Sequence, residues 1–75
     1  MNPITVITGK AKNGYRIEGV ITLVGKEGKK NCWRAEATVD GCAMATSHHD
    51  QRKDAEAWAV KMQGAYMAVH SSPAQ

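Results

Sequence analysis

Two dipeptides constrain this chain more than any other feature: Asn13-Gly14 in "KNGY" and Asp40-Gly41 in "VDGC". Asn-Gly and Asp-Gly tolerate the positive φ angles of a type I′ turn, so each is a strong β-hairpin signal where β-forming residues flank it. A two-residue loop at Asn13-Gly14 sets Lys12 opposite Tyr15, Thr8 opposite Gly19, Val6 opposite Ile21 and Ile4 opposite Leu23. Apolar residues then meet on one face, as a half-buried sheet requires. The same construction at Asp40-Gly41 sets Val39 opposite Cys42, Ala37 opposite Met44 and Ala35 opposite Thr46, with Trp33 on that face. Four strands follow, at about 3–12, 15–25, 31–39 and 42–47. The link "GKEGKKN" between the second and third is a turn, and aligning Leu23 with Trp33 suits the apolar pattern.

After Ser47 the period changes. Ala55, Trp58, Ala59, Met62, Tyr66 and Val69 recur at steps of three and four, the stripe of an amphipathic helix over about 50–69. Ser47 or Asp50 is placed to cap it, and Asp50, Asp54 and Glu56 suit the positive end of its dipole. Ser71-Ser72-Pro73 ends it and leaves a frayed tail at 71–75. Gly64, inside the helix, is expected to mark a close approach to the small Ala35 and Ala37. The fold class is therefore α+β: a four-stranded antiparallel meander with one C-terminal helix on one face, forming a single domain over 1–75.

At 75 residues, with 43% hydrophobic and 23% charged, the chain is near the size at which one core barely suffices, with no room for a deep cleft. No apolar run is long enough to span a bilayer and "MNP" does not open a signal peptide, so the expected location is the cytoplasm, with no membrane partner. Cys32 and Cys42 fall about seven strand residues apart, roughly 23 Å, which excludes a disulfide between them. Neither Cys-x-x-Cys nor His-x-x-x-His spacing occurs, and no serine or cysteine has a histidine and carboxylate placed by spacing. We expect neither metal, cofactor nor catalysis.

Function must then come from surfaces. In a meander the two dipeptide turns share one end of the sheet. "GKEGKKN" lies at the other, where the fourth strand finishes and the helix begins. Lys26, Lys29 and Lys30 should thus approach His48, His49, Arg52 and Lys53, at an end that also offers free helix N–H groups to a phosphate or carboxylate. The same residues are also ordinary solubilising features of turns and helix starts, and the net charge of +3 permits a polyanion without demanding one. Trp33 and Trp58 should meet beneath them as core. Away from the helix should lie Thr5, Ile7, Arg16, Glu18, Val20, Thr22, Arg34, Glu36, Thr38, Ala43 and Ala45. On that face Arg16 and Glu18 neighbour Arg34 and Glu36, while Ile7 and Val20 form a modest apolar patch. Such a face, with two open edges, leaves room for a homodimer or a partner subunit.

The segment "CWRAEATVDGCAMATSHHDQRKDAEAWAVKMQ", Cys32 to Gln63, resembles the arm-type DNA-binding domain at the N-terminus of tyrosine integrases of phages and mobile elements, through Trp33, Arg34, Asp40, Gly41, Ala55, Glu56, Ala57 and Trp58. That resemblance implies a three-stranded sheet packed on one helix and DNA bound through the sheet, although Glu36 sits on the face concerned. The segment also looks like the second half of a double-stranded RNA-binding domain without its leading helix. In size and architecture alone the chain is similar to small phage inhibitors of host machinery, anti-CRISPR proteins among them. The expectation is a non-enzymatic nucleic-acid-binding module using Lys26, Lys29, Lys30, Arg52 and Lys53 on phosphates, with Arg16 and Arg34 on the sheet. The alternative is a phage or mobile-element protein that binds and inhibits a host protein complex.

Overall fold

The computed structural model describes residues 2–71. The strands β1 (Ile4–Lys10), β2 (Arg16–Leu23), β3 (Trp33–Val39) and β4 (Cys42–His49) lie in the order β1-β2-β3-β4, all antiparallel, and the helix α1 (Arg52–Ser71) crosses one face. This is the expected α+β meander. The proposed tail falls mostly outside the described residues, but Ser71 is still helical and its hydroxyl accepts the Lys12 N–H at 3.1 Å.

The Asp40-Gly41 turn forms as its residues require: φ is 50° at Asp40 and 86° at Gly41, and Val39 pairs with Cys42. The Asn13-Gly14 turn takes another form. Gly14 N–H reaches Ala11 C=O and Ala11 N–H reaches Tyr15 C=O, both at 2.9 Å, and of the loop residues 12–14 only Gly14 has positive φ, 94°. That is a three-residue loop ending in a glycine bulge, and it moves the register by one residue, so that Thr8 faces Glu18 rather than Gly19. A second irregularity between Thr5 and Ile7 leaves Val6 unpaired and sets Ile4 opposite Ile21. On β4 an irregularity around Met44 sets Ala45 opposite Ala37 and Ser47 opposite Ala35. Ile7, opposite Gly19, and Ala45, opposite Ala37, therefore face the helix and not the open side, and no Ile7–Val20 patch forms there. Between β2 and β3 the expected alignment of Leu23 with Trp33 holds.

The core is small-residue packing. Ile17, Ile21, Ala35, Ala37, Ala55 and Ala59 are wholly inaccessible, and Cys32 and Trp33 nearly so. Trp58, Leu23, Ile4 and Val6 close its margins. The tightest contact is at Gly19, where a Cβ would come within 2.6 Å of the Ala59 carbonyl oxygen. Gly64 is not that contact: it is exposed, and a Cβ there would meet nothing within 4 Å. The helix stripe also differs from the apolar reading. Val69 is 66% exposed, whereas Gln63 is buried and donates from Nε2 to Ile17 C=O at 3.1 Å. Gly9, whose Cβ would lie 3.0 Å from Gln63 Nε2, leaves the space for that reach.

Opposite stability changes follow at the two glycines. Gly64→Ala should raise unfolding free energy by up to about 1 kcal/mol, because alanine is the better helix former and meets no obstacle. Gly19→Ala should lower it by about 1–3 kcal/mol, since a carbonyl must shift to admit the methyl group. Denaturant melts of the two variants beside the parent check both signs.

Candidate anion-binding end

The loop between β2 and β3 turns twice. Lys29 N–H bonds Lys26 C=O at 3.0 Å with Gly28 at φ 93°, the position where a type II turn demands glycine. Asn31 then takes φ 56°, and its N–H donates to Asp50 Oδ1 at 2.7 Å. Beside it the Cys32 thiol reaches Asp50 C=O at 3.5 Å. Asp50 lies two residues before the helix, whose first turn is closed by Ala55 N–H on Gln51 C=O, and its carboxylate ties the lysine-bearing loop to the helix start instead of capping that helix. Ser47 is likewise no cap: it is a strand residue paired with Ala35.

Lys26, Lys29, Lys30 and Lys53 are all exposed, on two segments that this junction brings together. Arg52 stands between them and the core. Its guanidinium lies 5.7 Å from the Trp33 ring centroid and its Nε is 2.9 Å from Glu56 Oε2, an exposed i,i+4 pair worth about 0.3–0.5 kcal/mol. Both contacts hold Arg52 over Trp33 while leaving it half exposed.

The two histidines part company. β4 runs through His49, so both belong to the strand and not to the helix entry, and successive side chains take opposite faces. His48 pairs with Arg34 on the open face and is exposed. His49 pairs with Trp33 under the helix, 6.2 Å from the Trp58 ring, and its Nε2 is buried with no hydrogen-bond partner among the described residues. His49 therefore leaves the proposed ligand set. No group of three or more His, Cys, Asp or Glu among the described residues is placed to hold a metal ion. Both cysteines are free, Cys32 buried and Cys42 exposed.

Arg16 belongs to the other end. Its N–H bonds Asp40 Oδ1 and its C=O accepts from Asp40 N–H, each at 2.8 Å, and it stands opposite Lys10. Sequence reasoning overlooked Lys10; it emerges from the one-residue change in register. Together with Thr8, Gly9, Gly14 and Asp40 these two cations line an open depression of about 570 Å³. Along the open face, Arg16 Nε lies 3.8 Å from Glu18 and Arg34 Nε 3.5 Å from Glu36, so the sheet arginines are balanced within their own strands.

Comparison with protein-family models, curated proteins and solved structures found no match. Among the described residues no helix is long and apolar enough to cross a membrane.

Asp50→Ala should release the loop from the helix start. The loss of a charged acceptor for a backbone N–H costs about 1.5–3 kcal/mol where the bond is well shielded and less where it is exposed, as here. The specific sign is local: exchange of the Asn31 amide proton, followed by NMR, should accelerate far more than exchange at Ile21.

Proposed function

We propose that this chain is a non-enzymatic module that binds nucleic acid, acting in the cytoplasm, with the basic end supplying most of the phosphate contacts. The supporting observation is the Asn31–Asp50 bond, which holds Lys26, Lys29 and Lys30 beside Arg52 and Lys53. Five permanent cations stand on two adjoining segments against the four carboxylates of Glu27, Asp50, Asp54 and Glu56, and the exposed lysines are the groups against which the phosphates of a backbone can exchange their counterions. The resemblance to integrase arm domains favours the sheet face as a second contact. On that face Arg34 and His48 adjoin the basic end, while Glu18 and Glu36 offset the arginines. The expected mode is therefore phosphate binding with little base discrimination.

Fluorescence anisotropy with a labelled duplex tests this. If all five cations engage phosphates, log K should fall with log salt at a slope near −4.5, roughly a 500-fold loss between about 50 and 200 mM. Lys29→Gln with Lys30→Gln should flatten the slope by about 2 without altering the fold. Absence of binding at low salt would overturn the proposal.

The balanced charges of the open face favour a second reading, a phage or mobile-element protein whose sheet meets a host protein complex in the manner of an inhibitor. A stoichiometric protein complex that survives nuclease, combined with no duplex binding, is the result that would select it.

A further inference from the structure

The two edges of the sheet are unequal. β1 follows Pro3, ends in Lys10 and is interrupted at Val6, features that discourage pairing with another chain. β4 carries none of Lys, Arg, Asp or Glu over its eight residues, Cys42–His49. Its one interruption lies at Met44, leaving Ala45–His49 in regular register with β3 and its other edge unpaired within the described chain. Apolar groups adjoin that edge: Met44 is 54% exposed, the Tyr66 hydroxyl reaches over to the Met44 carbonyl at 3.4 Å, and Val69, one helical turn beyond Tyr66, is 66% exposed.

We propose that the chain forms a two-fold homodimer by antiparallel pairing of β4 with β4 of a second copy, making one continuous eight-stranded sheet with both helices on the same side. Charge selects a second copy as the occupant. In an isologous contact each residue meets its own kind or a near neighbour, so a charged strand would repel itself, and this strand has no formal charge to repel. A strand without charges also offers nothing by which an acidic or basic partner would be chosen. Backbone hydrogen bonds supply the pairing and the Met44–Val69 flank supplies apolar burial beside it. With the pairing centred within Ala45–His49, the two Cys42 thiols lie at opposite ends of the seam, about 20 Å or more apart. The dimer is therefore not a disulfide.

Light scattering on the nuclease-treated full chain after size exclusion tests the proposal, read from low to high micromolar concentration with and without reductant. The expected mass is about 16 kDa, twice the 8.1 kDa of one chain, and unchanged by reductant. Thr46→Lys places a cation within about one residue of the two-fold axis, opposite its own copy and on an exposed position that the monomer leaves open to solvent. It should weaken dimerisation tenfold or more. Hydrogen exchange of the parent protein gives a reading independent of any variant: amides of Ala45–His49 should slow with concentration and those of β1 should not. A mass of 8.1 kDa at every concentration, a dimer lost in reductant, or concentration-dependent protection confined to β1 would each overturn the proposal.

Discussion

Gly19 has no side chain, and the Ala59 carbonyl occupies the space that one would fill, 2.6 Å from the ideal Cβ position. The helix can come that close because Ala35, Ala37, Ala55 and Ala59 are equally sparing of volume. A core made of alanine contributes less apolar area per residue than one of leucine, so it depends on close approach and dispersion contacts. Close approach in turn fixes where the helix can lie. It must run along β2 and β3, with its start beside the β2–β3 loop and its end beside the β1–β2 loop, where His70 accepts from the Asn13 side-chain amide at 2.9 Å and stacks edge-on against Tyr15.

The basic end is a consequence of that placement. Once the helix start reaches the β2–β3 loop, Asp50 is left between a strand and a helix with its carboxylate free to accept the Asn31 N–H. Among the described residues Asn31 is one of two non-glycine residues with positive φ, and the conformation it adopts turns its N–H toward Asp50. Five cations are thus assembled by one hydrogen bond and one chain direction, and of these Arg52 is ion-paired, with Glu56. Arg52 is the member most constrained, since Trp33 and Glu56 both hold it.

Much of this was legible before the structure, and the failures have physical causes. Turn dipeptides located both hairpins and hence the meander, because positive φ is a local steric demand that few residues meet. They did not fix both registers. Asn13-Gly14 is equally compatible with a two-residue loop and with a three-residue loop ending at Gly14, and the irregularities at Val6 and Met44 have no side-chain signature. Each moved residues across the sheet: Ile7 and Ala45 turned inward, and His49 passed under the helix. Apolar periodicity missed Gln63 because it weighs side chains by hydropathy, whereas Gln63 is inside for its hydrogen bond to Ile17. It kept Val69, a helix position that the sheet does not cover. Asp50 looked like a cap because an acidic residue before a helix usually is one; only the fold revealed a better donor in a loop nineteen residues earlier.

The proposed contact with nucleic acid lies at the end where the lysine loop and the helix start are joined. Amide chemical-shift mapping during titration with a short duplex addresses it residue by residue. Contact at that end should concentrate shifts at residues 26–31 and 50–54, extend them to Arg34 and His48, and leave Asn13, Gly14 and the helix C-terminus near their starting positions. Shifts centred instead on Lys10, Arg16 and the Asp40 turn, with the lysine loop unmoved, would contradict it.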